Sequence, residues 1–122
     1  MDSAIKEFDK AIKIYDSYAE AYNEKGCALE ELGRHNEAIS AFIKTLEINP
    51  NSYEAIQNLG AVYGIINQNE KALEYYKKAI EMDPNDEENY KCSGLIYQKI
   101  GDLLKAKEYL EKANRLANDQ QK

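Results

Sequence analysis

Residues 53–86 decide the fold, and they read YEAIQNLGAVYGIINQNEKALEYYKKAIEMDPND. Apolar or small residues recur in this stretch in steps of three and four, which is the spacing of one face of an α-helix. Polar residues at 67–68 interrupt the pattern, and Pro84 ends it because proline cannot continue a helix. The stretch therefore predicts two helices, over about 53–66 and 70–82, joined by a short turn.

The same pattern recurs along the chain with a period of 34 residues. Glycine, alanine, aromatic, aliphatic and proline positions form ladders in one shared register. These ladders are Gly26, Gly60 and Gly94; Ala4, Ala38, Ala72 and Ala106; Phe8, Phe42, Tyr76 and Leu110; Leu29, Tyr63 and Tyr97; Tyr22, Ile56 and Tyr90; and Pro50 and Pro84. Because chance does not produce six ladders in one register, the chain is predicted to consist of repeated helix pairs.

The ladders divide the chain into repeats. Residues 1–18 match only the second helix of an incomplete leading repeat, and residues 119–122 form a polar tail. The complete repeats are repeat 1 at 19–52, repeat 2 at 53–86 and repeat 3 at 87–118. We therefore expect about seven helices, as three pairs preceded by one helix without a partner.

Turn residues support these boundaries. Gly33 predicts a helix stop, because glycine adopts the left-handed cap conformation at little steric cost. Asn67 replaces the turn glycine in repeat 2, and asparagine is the next best left-handed residue. Asp102 is a candidate N-cap. Asn118 stands where a final proline is missing, so we expect the last helix to run on.

The repeated positions resemble those of the tetratricopeptide repeat family, whose unit is a helix–turn–helix of about 34 residues. The resemblance covers nearly the whole chain. It implies an all-α fold, a right-handed α-solenoid of stacked helix–turn–helix repeats, and a non-catalytic scaffold for protein–protein interaction. We expect the ladder glycines and alanines to leave room where paired helices approach, while Phe42 or Tyr76 fills the gap towards the next pair.

Arrays of this family present a concave groove lined by the first helix of each repeat. The resemblance implies that side chains off the packing face of these helices form the partner-binding groove. The predicted groove residues are Asn23, Cys27, Glu30, Gln57, Asn58, Ala61, Ile65, Lys91, Leu95 and Gln98. The expected ligand is an extended or helical segment of another protein that carries basic and apolar residues. The alternative is that the glutamates of the first helix form only a solvated face.

One subclass of the family binds the C-terminal carboxylate of chaperone tails with a clamp of Lys, Asn, Asn, Lys and Arg. The matching positions here are Asn23, Cys27, Asn58, Glu88 and Cys92. Only Asn58 fits the clamp, and the Glu88 carboxylate would repel the carboxylate of the ligand. We therefore expect protein or peptide binding by a different mode.

The sequence predicts no catalytic residue, metal site or cofactor. His35 is the only histidine, and it is expected in a surface turn without a nucleophile beside it. Cys27 and Cys92 lie on different helices, with no CxxC motif and no histidine at metal-ligand spacing. Tyr75 and Tyr109, 34 residues apart, precede the aromatic ladder and are expected to point outward.

Charge and composition limit the class of partner. The 122 residues carry 22 acidic and 16 basic side chains, for a formal charge of -6, which disfavours binding to nucleic-acid phosphates. Hydrophobic residues make up 43% of the chain, enough to bury a core, but no apolar run reaches the roughly 18 residues of a membrane span. The charged first residues and the two cysteines indicate neither secretion nor a disulfide framework. We expect a cytoplasmic protein with no nucleic-acid or membrane partner.

The first helix is expected to expose part of its apolar face, which lacks a partner helix. The predicted terminal association face is Ile5, Phe8 and Ile12. Three explanations are open: the chain is a piece of a longer array, two chains pack through their ends, or small patches are tolerated. We favour the first, which predicts self-association of the isolated chain. The alternative function is therefore a structural or oligomerisation segment of a larger multi-repeat subunit of a protein complex.

Overall fold

Six α-helices account for most of residues 2–120, the part of the chain that the computed structural model describes. The side chains of residues 2–5, 8, 9 and 12 lie outside this description. The helices are α1 (Asp2–Glu31), α2 (His35–Ile48), α3 (Tyr53–Ile65), α4 (Asn69–Met82), α5 (Glu87–Ile100) and α6 (Leu103–Gln120). The all-α class expected from the periodicity is therefore confirmed for the described residues.

The first helix differs from expectation. α1 runs without interruption for 30 residues, so the unpaired helix expected over 1–18 and the first helix of repeat 1 are one element. The physical reason lies at Asp16, which takes the register position that Pro50 and Pro84 occupy in the later repeats. Without a proline or glycine at this junction, nothing in the local sequence ends the helix. The described residues therefore form six helices rather than about seven.

A left-handed residue closes the first helix of each pair. Gly33 and Gly101 have φ angles of 75° and 89°, and Asn67 has a φ angle of 65°. The amide that follows each of these residues donates a hydrogen bond to the carbonyl five residues back. These bonds join Arg34 to Leu29, Gln68 to Tyr63 and Asp102 to Tyr97, each at 2.9 Å. The predictions for Gly33 and Asn67 are confirmed, because their left-handed turns satisfy carbonyls that the helix end would leave unpaired.

The second helix of each pair also has the boundaries that its residues predict. The Lys105 amide donates to Asp102 Oδ1 at 3.2 Å, so Asp102 caps the start of α6 as expected. α2 and α4 end at Asn49 and Asp83, whose side-chain oxygens each accept a bond at 3.1 Å from the amide two residues further on. α6 continues to Gln120, as the missing proline predicted.

Paired helices pack through a glycine on the first helix and a bulky side chain on the second. A Cβ atom built on the glycine would lie 2.5, 2.9 and 2.7 Å from the facing side chain in the pairs Gly26–Phe42, Gly60–Tyr76 and Gly94–Leu110. Because carbon atoms pack best at about 3.5–4.0 Å, a larger residue does not fit without a shift of its neighbour. Phe42 and Tyr76 were expected to fill the gap towards the next pair, whereas they cover the glycine of their own pair.

The chain divides into two compact units, unit 1 (Met1–Ala55) and unit 2 (Ile56–Lys122), with the division near the start of α3. In unit 1, α1 packs against α2; in unit 2, α5 packs against α4 and α6. The most deeply buried side chains of unit 1 are Ala19, Ala38, Phe42, Thr45 and Ala55. Those of unit 2 are Ile56, Leu59, Val62, Ala72, Tyr76, Ala79 and Asn89. Ladder residues thus supply much of the core of each unit.

Candidate functional site

The predicted groove residues lie on α1, α3 and α5, and therefore in both units. Asn23, Cys27 and Glu30 lie on α1 in unit 1. The residues on α3 and α5 in unit 2 are Gln57, Asn58, Ala61, Ile65, Lys91, Leu95 and Gln98. The two sets differ in how much of each side chain a partner could reach.

In unit 1, two of the three predicted residues are committed to internal contacts. Asn23 is buried, and its Nδ2 donates to Glu54 Oε2 at 3.2 Å. Both carboxylate oxygens of Glu30 lie 2.9 Å from His35 Nδ1. His35 was expected in a surface turn, whereas it begins α2 and is half-buried against this carboxylate. Cys27 is the exposed member of the set.

In unit 2, Gln57 takes the register position of Asn23 and makes a similar contact. Its Nε2 donates to Asn89 Oδ1 at 2.8 Å and to Asp86 Oδ2 at 3.1 Å. Asn89 is fully buried, so this bond satisfies a polar group that has lost its water. Asn23 and Gln57 thus each tie the first helix of one repeat to that of the next, which sequence reasoning had assigned to partner binding.

An apolar depression of about 300 Å³ lies between α3 and α5 in unit 2; we call it the α3–α5 depression. It is lined by Gly60, Ala61, Gly64, Ile65, Tyr76, Cys92, Leu95, Ile96 and Lys99. Ala61 is exposed, while Ile65 and Leu95 are 56% and 47% exposed. Because the two glycines carry no side chains, a ligand could approach the α3 backbone there. The structure thus brings together three predicted groove residues.

A fixed positive charge lies at one end of this depression. Lys99 Nζ donates to the Gly64 carbonyl at 2.8 Å and to Asn67 Oδ1 at 3.2 Å. A cation is favourable there, because the carbonyls at the end of α3 carry partial negative charge. Lys91 and Gln98 are exposed elsewhere on α5, and Asn58 is half-buried on α3.

The clamp positions on α5 hold a carboxylate and a protonated thiol. Cys92 Sγ donates to Glu88 Oε1 at 3.6 Å, and the Tyr76 hydroxyl donates to the Cys92 sulfur. Burial raises the pKa of the Cys92 thiol, and the Glu88 carboxylate adds to this rise. Burial also raises the pKa of Tyr76 above its usual range. At neutral pH Cys92 is therefore a poor nucleophile, because the thiolate is the reactive form.

Two tyrosines that were expected to point outward lie in ring contacts within unit 2. Tyr75 stacks on Tyr63 with ring centroids 5.7 Å apart and planes at 11°. Tyr109 lies 5.2 Å from Tyr97 and 6.0 Å from Tyr90, measured between ring centroids. Burial raises the pKa of both Tyr75 and Tyr109, and the neighbouring tyrosine in each contact adds to the rise. Their shared 34-residue register was the sequence signal for these contacts.

Lysines of the second helices lie over the same aromatic rings. Lys71 Nζ lies 5.3 Å from the ring centroid of Tyr63, and Lys105 Nζ lies 5.4 Å from that of Tyr97. These two contacts repeat after 34 residues, as the tyrosine pairs do. A third lysine, Lys112, lies 6.0 Å from the Tyr90 ring. The rings of unit 2 therefore already interact with cations.

Over residues 2–120, no three or more His, Cys, Asp or Glu side chains converge in an arrangement suited to a metal ion. Within the same described range, none of the helices combines the length and the apolar character needed to cross a membrane.

Solved structures of three proteins are similar to this chain along most of its length. The crystal structure of MamA aligns with a TM-score of 0.82 and 28% identity, over 98% of this chain and 70% of MamA. The TPR domain of Sgt2 from Aspergillus fumigatus aligns with a TM-score of 0.76 and 26% identity, over 82% of this chain and 66% of that domain, just under two thirds. The second TPR of Spaghetti (RPAP3), bound to the HSP90 peptide SRMEEVD, aligns with a TM-score of 0.80 and 20% identity, over 88% of this chain and 98% of that one.

Family models match the region that contains the ladders. One tetratricopeptide repeat model matches residues 17–85, more than half of the chain, and a second matches residues 75–108. A search of curated protein sequences finds no significant match. The matched residues include the glycine, alanine and proline ladders and the left-handed turns that close the first helices. The chain therefore belongs to the tetratricopeptide repeat family.

Proposed function

We propose that this chain is a non-catalytic protein–protein interaction module that binds an extended or helical segment of a partner through the α3–α5 depression. The observation that carries the proposal is the pair of exposed aliphatic side chains, Ile65 and Leu95, at an apolar surface depression. Isolated exposed aliphatic residues are ordinary, but residues that line a common concave surface offer a partner a place to bury apolar side chains. Family membership supports the same class of function, because repeats of this kind create binding surfaces.

The depression suits one or two apolar side chains rather than a whole helix. Burying one leucine-sized side chain completely contributes about 1.5–3 kcal/mol, so affinity depends on a small number of such contacts. Lys99 is fixed beside the apolar surface, so an acidic or carbonyl oxygen of the ligand would find a donor at that end. The proposed ligand is therefore a short segment with apolar anchors, of which one is followed by a hydrogen-bond acceptor.

A carboxylate clamp is not part of the proposal. Spaghetti, a structural neighbour, binds the HSP90 peptide SRMEEVD, but at 20% identity that neighbour supports only the fold of this chain. Glu88 stands at a clamp position here and would face the ligand carboxylate with like charge. In a fluorescence anisotropy titration with labelled SRMEEVD, we expect no saturable binding. Saturable binding that Glu88→Lys strengthens or leaves unchanged would contradict the proposed non-clamp mode.

The binding surface can be tested without knowing the partner. Peptides from a random displayed library are selected on the wild-type chain, and the labelled winners are titrated with variants. Leu95→Asp should weaken these peptides about tenfold or more, because a charge replaces an apolar contact. Leu32→Asp is the matched control, since Leu32 is 70% exposed and lines no part of the depression.

The two variants separate the outcomes. Retained affinity in Leu32→Asp with loss in Leu95→Asp supports the α3–α5 depression as the binding surface. Equal affinities in both variants, or a selection that enriches no peptide, contradicts it. Circular dichroism of each variant confirms that the helices are intact.

A further inference from the structure

Unit 2 contains a second and larger groove, formed by one face of α4 together with α5 and α6; we call it the tyrosine groove. Its volume is about 590 Å³, within the range of roughly 300–1,000 Å³ for ligand sites. The lining residues on α4 are Glu70, Leu73, Glu74, Lys77, Ile80 and Glu81. Those on α5 and α6 are Tyr90, Ser93, Tyr97 and Tyr109. None of these residues lines the α3–α5 depression.

The aromatic part of the groove is held in place by its own contacts. Tyr109 lies between Tyr90 and Tyr97, at 6.0 and 5.2 Å between ring centroids, and the rings are tilted by 37° and 38°. All three tyrosines are half-buried, so each keeps part of its surface accessible. An aromatic cluster fixed in this way needs little ordering when a ligand binds.

The charged part of the groove is acidic. Three glutamates of α4, Glu70, Glu74 and Glu81, line it against the one lysine of the same face, Lys77. These four side chains are exposed, and a ligand could reach their charged groups. Carboxylates beside tyrosine rings form an environment that favours a cation, because both the ring faces and the carboxylates attract positive charge.

The chain's own lysines show that these rings attract cations. Lys105 Nζ lies 5.4 Å from the Tyr97 ring centroid, and Lys112 Nζ lies 6.0 Å from that of Tyr90. Both lysines belong to α6, whereas the carboxylates belong to α4. The α4 side of the groove therefore has carboxylates that attract a cation from outside.

We propose that the tyrosine groove binds an arginine side chain of a basic protein segment. A planar guanidinium can stack on a tyrosine ring and at the same time donate two parallel hydrogen bonds to a carboxylate. An ammonium group of lysine offers neither the flat face nor the paired donors. This site is separate from the α3–α5 depression, and the inference does not depend on the function proposed for that depression.

Tyrosine ring signals provide a direct test. The full chain with ¹³C-labelled tyrosine rings is titrated with the capped peptide acetyl-Gly-Arg-Gly-amide and observed by NMR. The ring signals of Tyr90, Tyr97 and Tyr109 should shift saturably. The same peptide with citrulline in place of arginine has nearly the same shape without the charge. It should shift these signals at least about fivefold less at equal concentration, because it lacks the cation–π and ion-pair attraction.

Paired variants distinguish the groove from the net charge of the protein. Glu70→Gln with Glu74→Gln should weaken the arginine peptide about fivefold to tenfold, because two carboxylates of the groove are removed. Glu24→Gln with Glu31→Gln makes the same change of charge on exposed positions of α1, which contributes nothing to the groove, and should leave the affinity unchanged. Leu95→Asp should also have no effect, which keeps this test independent of the α3–α5 depression.

Three outcomes would overturn the inference. Equal shifts with the citrulline peptide would mean that the groove takes an uncharged ligand. Equal weakening by both glutamine double variants would mean that only the overall negative charge attracts the peptide. Absence of saturable shifts at the three tyrosines would mean that the groove does not bind arginine.

Discussion

At the scale of single residues, the glycine contacts decide how closely paired helices approach. Gly26 faces the ring of Phe42, which is buried and has little freedom to move aside. Gly64, on α3, is also buried, but a Cβ there would find its nearest neighbour at 3.7 Å, an ordinary contact. Two helical glycines of one chain thus face opposite steric situations.

Gly26→Ala should lower the free energy of unfolding by about 1–2 kcal/mol. Overpacking against Phe42 costs about 1–3 kcal/mol, and the better helix propensity of alanine offsets up to about 1 kcal/mol of this. Gly64→Ala is the matched control and should raise stability by about 0.5–1 kcal/mol, because only the propensity changes. Urea unfolding of both variants measures the difference. The same sign for both would show that the Gly26 contact yields without cost.

The two cysteines should differ in chemical reactivity. Cys27 is exposed, whereas Cys92 is half-buried and the pKa of its thiol is raised by burial and by Glu88. Because only the thiolate reacts, a raised pKa lowers the reactive fraction at pH 8, and the rate at Cys92 continues to rise at higher pH. Iodoacetamide should therefore modify the variant Cys92→Ser, which keeps Cys27, faster than the variant Cys27→Ser. Equal rates in the folded protein would contradict the protected environment of Cys92.

At the scale of elements, the continuity of α1 depends on one register position. Asp16 occupies the place of Pro50 and Pro84, and the helix passes through it without a break. A single substitution can therefore restore the residue that ends the corresponding helices of the later repeats.

Asp16→Pro should break α1 near its middle. Proline removes a backbone donor and clashes with the preceding turn, at a cost of about 3 kcal/mol in a helix interior. Hydrogen exchange of the amides in residues 6–15 should accelerate, while exchange in α2 changes less. Asp16→Ala keeps the helix and serves as control. Unchanged protection in the proline variant would show that tertiary contacts, rather than the local sequence, hold the two halves of α1 together.

Polar contacts between successive first helices also belong to this scale. Asn23 and Gln57 occupy equivalent positions, and each donates to the first helix of the following repeat. Sequence patterning placed both residues correctly on the face that lies off the hydrophobic stripe. It could not distinguish contact with a partner from contact with the next helix, because both require polar side chains at the same helical positions.

At the scale of the whole molecule, self-association remains a prediction. The side chains of Ile5, Phe8 and Ile12 lie outside the described residues. Phe8→Glu should make the chain more monomeric in sedimentation velocity, because a buried charge opposes apolar association. Ser17→Glu makes the same charge change at an exposed position of α1 and should have no effect. A wild-type chain that is already monomeric at the highest concentration would remove the idea.

The sequence by itself determined the helix pairs, their turns and the glycines at which they meet, because each follows from spacing along one chain. The left-handed turns at Gly33 and Asn67 are local properties of those residues. The position of Ile65 and Leu95 on first helices was likewise readable from the register.

Only the tertiary structure decided which of these residues a partner can reach. It gave Glu30 to His35 and Gln57 to Asn89, and it placed Tyr109 between Tyr90 and Tyr97. The physical reason is that helical periodicity fixes the direction of a side chain from its own helix axis. The distance to groups on another helix depends on how the two helices pack, and that distance determines whether a polar or aromatic residue is already partnered.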